Sequence, residues 1–158
     1  MKKKVSIILL ISFIVGIILL AGLFIIKNLK KQVLSVDEFI SKLEAKEYIL
    51  KDITREYNYD YVKNVYSAEY LNNWYLNFIQ LDNDSNSIKL FDNHYNNYKD
   101  VSGPKSMTLV NGLNYNIFTL TTSDYYMYIC RVDNTIIYSK ANKEYKDEIK
   151  EIAKELGY

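Results

Sequence analysis

Few side chains in this 158-residue chain combine reactivity with a useful spacing. Cys130 is the single cysteine and His94 the single histidine. A thiol nucleophile needs a base within hydrogen-bond reach, and His94 is the only histidine on offer. Cys130 closes the run Tyr126-Met127-Tyr128-Ile129-Cys130, where a lone thiol reads as a small core hydrophobe and no intrachain disulfide can form. His94 has no second His or Cys near it in sequence, so it reads as a boundary residue of an apolar helix stripe, not a metal ligand. Asp82, Asp84 and Asn86 match the first three ligand positions of a calcium loop. Ser87 and Asn93 then stand where that loop needs its glycine and its bidentate glutamate, so the stretch reads as a polar cap for the next helix. There is no glycine-rich phosphate loop and no nucleophile elbow. The sequence therefore leads us to expect no catalytic residue, no metal ligand and no cofactor.

Binding residues are easier to nominate. Arg55 and Arg131 are the only arginines in a chain with 18 lysines, and a guanidinium offers a planar, two-pronged donor that an ammonium lacks. Arg131 alternates with Tyr125, Met127 and Ile129 on one strand face, which predicts a structural ion pair with a carboxylate of the domain. Tyr57, Tyr59, Tyr61, Tyr66 and Tyr70 form the densest aromatic patch and are the candidate interaction surface, suited to stacking on sugars of a cell wall or lying at a lipid interface. Abundant Lys, Asn, Ile and Tyr are also what A/T-rich codons produce, so the tyrosines carry less weight than the arginines.

Charge divides the chain. Residues 1–31 hold six lysines and no acid, whereas 36–158 hold 14 cations against 19 carboxylates, a net of −5. That sign speaks against a nucleic-acid partner, which requires clustered cations. Between the basic flanks, residues 5–26 form an uncharged apolar run of 22 residues, about 33 Å as a helix and matched to a bilayer core. The run is too long for a cleaved signal, and Leu23 stands where a lipobox would need its cysteine. The expected organisation is a short tail at 1–4, a transmembrane helix at 5–26, a short basic linker at 27–35 and a soluble α+β domain at 36–158. Flanking lysines nearly balance, but a four-residue tail before the apolar run is typical of a signal anchor. This predicts a single-pass protein of the cytoplasmic membrane, with its N-terminus inside and its domain outside.

Within the domain, the Ser35-Val36-Asp37-Glu38 capping box starts a helix. A short strand follows over 48–56 with Tyr48, Leu50 and Ile53 inward, and 58–64 is ambiguous. Runs at 65–71 and 74–81 flank Asn72-Asn73 as a hairpin with a two-residue turn. Ile88, Phe91, Tyr95 and Tyr98 mark an amphipathic helix over 85–99. Residues 106–139 read as three or four antiparallel strands broken by Asn111-Gly112, Thr122-Ser123-Asp124 and Asp133-Asn134. The last helix has Asn142 as cap, an apolar stripe of Tyr145, Ile149, Ile152 and Leu156, and Gly157 as stop. The simplest architecture is one antiparallel sheet whose apolar face is covered by helices.

The segments Arg131-Val132-Asp133-Asn134-Thr135-Ile136-Ile137-Tyr138 and Glu144-Tyr145-Lys146-Asp147-Glu148-Ile149, with Leu156-Gly157-Tyr158 and the earlier Asp37-Glu38-Phe39 and Leu81-Asp82, resemble small exported or membrane-anchored proteins and lipoproteins of low-GC Gram-positive bacteria. That group has no assigned activity, so the resemblance implies location and transfers no residue role. The functional expectation is a membrane-anchored extracytoplasmic interaction or sensing domain without catalysis, touching the bilayer through residues 5–26 and an unidentified protein or cell-wall partner. The alternatives are an accessory subunit of a membrane complex and a cell-wall-directed enzyme.

Overall fold

The computed structural model describes residues 29–46, 48–70 and 73–158. The chain divides at Lys30, and the unit that follows, Lys31–Tyr158, is an α+β domain built on one seven-stranded antiparallel sheet. The expected span at 5–26 lies outside the described residues; among those described, no helix is long and apolar enough to cross a membrane.

Three strands come first: β1 (Ile49–Asp52), β2 (Val62–Tyr70) and β3 (Trp74–Leu81). Four more follow, β4 (Ser106–Asn111), β5 (Tyr115–Thr121), β6 (Tyr125–Val132) and β7 (Thr135–Asn142), in the spatial order β1-β2-β3-β7-β6-β5-β4. Helix α1 (Val36–Glu44) precedes the sheet, α2 (Asp84–Tyr98) links its two halves, and α3 (Lys146–Glu155) ends the chain.

The sheet is covered on both faces, not on one as expected. Side chains alternate along β6, so Tyr126, Tyr128, Cys130 and Val132 join a core with Phe39, Leu43, Ile149, Ile152 and Leu156 of α1 and α3. Met127 and Ile129 point the other way, into a second core with Phe91 of α2. A strand buried on both sides has few polar positions to spare, which is why 125–130 reads as a continuous apolar run before the buried Arg131. Phe39 stacks on Phe78 at 5.0 Å between ring centroids and is fully buried, a contribution of about 2 kcal/mol from area alone.

Several boundaries differ from expectation for local reasons. The Ser35–Glu38 capping box forms as read. The strand expected over 48–56 stops at Asp52, whose Oδ1 accepts from Thr54 N at 2.9 Å and turns the chain into a 3-10 turn, Thr54–Glu56. Tyr48 and Leu50 pack toward one core and Ile53 toward the other. Pairing of Tyr70 with Trp74 makes the hairpin connection three residues, 71–73, rather than two. In α2 Ser87 is buried along with Phe91, while Ile88 is 43 % exposed. Ser87 Oγ bonds the main-chain carbonyls of Asp84 and Asp133, and so takes the centre of the stripe. Asn142 is the last residue of β7 and caps nothing; a 3-10 turn, Lys143–Tyr145, intervenes before α3. Gly157, at φ 88°, does end the last helix.

The expected linker is in part domain. Lys31 N donates to Asn114 Oδ1 at 3.0 Å, Asn114 Nδ2 donates to Lys31 O at 2.9 Å, and Leu34 is buried in the first core.

Candidate ligand-binding cleft

The five tyrosines nominated from sequence do not form one surface. Tyr57 and Tyr61 pack against the α2-side core, whereas Tyr66 packs against the core under α1 and α3. Tyr59 is 59 % exposed and stacks on Tyr61 at 5.3 Å; Tyr70 is exposed and stacks on Trp74 at 6.1 Å. Tyr66 and Tyr70 share one face of β2, whereas Tyr57, Tyr59 and Tyr61 lie in the connection that precedes that strand.

Arg131 is buried on the α2 side at 7 % exposure, and it does not make the expected carboxylate pair. Its Nε donates to Asn116 Oδ1 at 2.8 Å and its Nη1 to the main-chain oxygen of Asp133 at 3.1 Å. The nearest acid in sequence, Asp133, instead accepts from Asn114 Nδ2 through Oδ2 at 3.0 Å. The two-pronged donor is used, but on neutral oxygens that fix the turn between β6 and β7. Among the described residues the ion pairs are Lys46–Glu155 and Lys51–Glu69. Arg55 borders a shallow concavity of about 290 Å³ with Asp52 and Glu56.

Cys130 is fully buried and its thiol is pushed up to about 12 by burial, so no thiolate is on hand at neutral pH. His94 packs on Tyr138 at 4.7 Å, and burial lowers its pKa, leaving a neutral ring. Asn83 caps α2 by accepting from Asn86 N at 3.0 Å, and Asn86 Nδ2 donates to Asp82 Oδ1 at 2.8 Å, so the calcium-like segment is spent on the helix start. Among the described residues, no group of three His, Cys, Asp or Glu side chains is placed to hold a metal ion.

A cleft of about 490 Å³ opens at the end of the sheet where β2 returns as β3, and Glu69, Trp74, Tyr75, Tyr125, Lys140 and Asn142 are among its lining. The register pairs Met127 with Lys140 and Tyr125 with Asn142, which sets Lys140 and Tyr125 diagonally on the same face. Lys140 Nζ lies 4.5 Å from the Tyr125 ring centroid and 5.3 Å from that of Tyr98 at the end of α2. An ammonium held over ring faces is attracted by their quadrupoles yet keeps its donors free for an anion. Across the cleft, Glu69 is paired with Lys51 Nζ at 2.6 Å. Behind Tyr75, the ring of Tyr138 stands 6.2 Å away, and burial raises both phenols above their ordinary value, so they are neutral donors and not bases. Among the described residues, the buried Trp74 Nε1 at this end of the sheet and Asn77 Oδ1 in the middle of β3 have no partner; Asn77 Nδ2 donates to Tyr57 OH at 3.2 Å. Among the described residues the cleft thus offers the Lys140 ammonium, flat aromatic walls and hydrogen-bonding groups. Such groups suit the recognition of an anion with a flat face.

No family model and no curated protein matches the chain. A solved structure of a GTP binding regulator from Thermotoga maritima overlaps it at 16 % identity, covering 78 % of this chain and 84 % of that one, with a TM-score of 0.48. An overlap this loose carries no argument about ligand or activity.

Lys140 and Tyr125 are missing from the residues nominated by sequence, because lysine and tyrosine are among the commonest residues of the chain. A signal was present. Counting outward from the Asp133-Asn134 turn pairs Tyr125 with Asn142 and brings Lys140 beside them.

Proposed function

We propose that the chain is a membrane-anchored, extracytoplasmic binding protein without catalytic chemistry, and that its ligand is an anionic fragment of the cell wall held in the cleft between β3, β7 and β6. The observation that supports this reading is Lys140, which carries its charge between the Tyr98 and Tyr125 rings beside an open, aromatic-walled space. A carboxylate of the ligand would take the ammonium, and a pyranose face would stack on Tyr125. The uncharged run at 5–26 supports the anchor, and the resemblance to small exported Gram-positive proteins supports the outer side. Only four residues, 27–30, separate that run from Lys31, the first residue tied into the domain, so the tether is short.

The test is titration of the full chain, in detergent micelles, with purified soluble muropeptides, followed by calorimetry. The reading expects saturable binding that weakens roughly tenfold in Lys140→Ala, the order of one charge-assisted hydrogen bond. Muropeptide binding of equal strength in Lys140→Ala, or none in the wild type, overturns it.

A further inference from the structure

The two edges of the sheet are built differently. β1 is a four-residue edge carrying Lys51 and Asp52, with Lys51 ion-paired across to Glu69 on β2. Short length and charge are the usual guards against strand addition. β4 has neither guard. Ser106–Asn111 carries no charge and no proline, and every residue in it is exposed. Met107 is 42 %, Leu109 44 % and Val110 39 % exposed, so apolar side chains stand open on both faces.

The main-chain groups of this edge can be assigned. Gly112 N donates to Tyr115 O at 2.8 Å, which makes Gly112 and Tyr115 a hydrogen-bonded pair of the hairpin. Antiparallel alternation then turns Val110, Thr108 and Ser106 toward β5 and leaves the N–H and C=O of Met107, Leu109 and Asn111 facing outward. From this geometry we infer that β4 is a dimerisation edge, and that its occupant is β4 of a second copy of this chain, antiparallel and centred on Leu109.

Self-complementarity selects that occupant. A two-fold axis through Leu109 sets Leu109 opposite itself, Met107 opposite Asn111 and Thr108 opposite Val110, each pair on one face of a continuous sheet. All three outward-facing residues then complete a ladder. The domain carries a net charge of −5 over residues 36–158, so two copies repel over most of their surfaces. Within β4 the pairing brings no like charges together. The flanking Lys105 falls opposite Leu113, and its Nζ is already held by the carbonyls of Lys99 and Val101 at 2.8 and 2.7 Å.

The experiment is disulfide trapping in membranes of cells expressing the full chain, with Cys130 retained because it is buried. Leu109→Cys is expected to give a covalent dimer on mild oxidation, since only residues opposite one another bring their Cα atoms within disulfide reach. Leu113→Cys, at a more exposed site (60 %), is expected to cross-link roughly tenfold less, because it lies far from its own copy in this register. Sedimentation in detergent adds a second reading, with the wild type dimeric and Leu109→Lys monomeric. Equal cross-linking at the two sites, a monomeric wild type, or an adduct whose mass is not twice that of the chain overturns the inference.

Discussion

Replacing Arg131 with lysine keeps the charge and removes the fork. The guanidinium reaches Asn116 Oδ1 through Nε at 2.8 Å and the Asp133 carbonyl through Nη1 at 3.1 Å, in a site only 7 % exposed. An ammonium on a straight stem reaches one of these oxygens and not both. Losing one hydrogen bond to a charged donor at a buried site costs about 1.5–3 kcal/mol. For a domain of this size, a loss near 2 kcal/mol lowers the melting midpoint by roughly 6–10 °C. The assay is thermal and urea unfolding of the full chain in detergent, followed by near-ultraviolet circular dichroism. A cycle with Asn116→Ala then asks whether the two losses overlap, as side chains in direct contact should, by about 1 kcal/mol. If Arg131→Lys melts with the wild type, the pairing does not hold the β6–β7 turn and the reasoning fails.

Three further outcomes follow from the same structure. His94 is the only histidine, and burial holds its folded pKa below the ordinary value, so its stabilising effect is complete above about pH 6.5 and declines as pH falls through the folded value. Wild type should therefore lose more stability than His94→Gln between pH 7 and 5, and parallel curves would contradict the burial argument. Cys130 should resist a thiol reagent in the folded chain and react once in denaturant, because its thiol is buried and pushed up to about 12. Prompt reaction of the folded chain would refute that. A Cβ on Gly112 would stand 2.0 Å from Cε1 of the Tyr115 ring, so Gly112→Ala should cost about 1–3 kcal/mol in urea unfolding as the ring is displaced, and an unchanged midpoint would rule this out.

Local signals carried much of the fold. The Ser35–Glu38 capping box, the Asp133-Asn134 turn and the 4, 3, 4 stripe of the last helix each depend on neighbours in sequence, and each stands where the sequence placed it. The second helical layer was harder to read, because burial on both faces of β6 erases the alternation that would mark one face as polar. Ile88 misled for another reason: the stripe is centred on Ser87, whose value lies in a hydrogen bond to Asp133, 46 residues away. The cleft was hidden because it joins β2, β3, β6 and β7, and only the tertiary pairing of β3 with β7 brings Tyr75 and Lys140 to one place. Arg131 was legible as a special residue, but not its partner, since Asn116 reaches it through the β5–β6 register.

The proposal is tested most directly by placing a reactive thiol on the rim of the cleft and asking from which side, and against which ligand, it can be reached. Asn142→Cys is exposed there, and the buried Cys130 adds little background. Labelling of the full chain by a membrane-impermeant maleimide in intact cells, reduced by added muropeptides, is the predicted result. Labelling that needs permeabilised cells, or that muropeptides leave unchanged, would contradict an external wall-binding cleft.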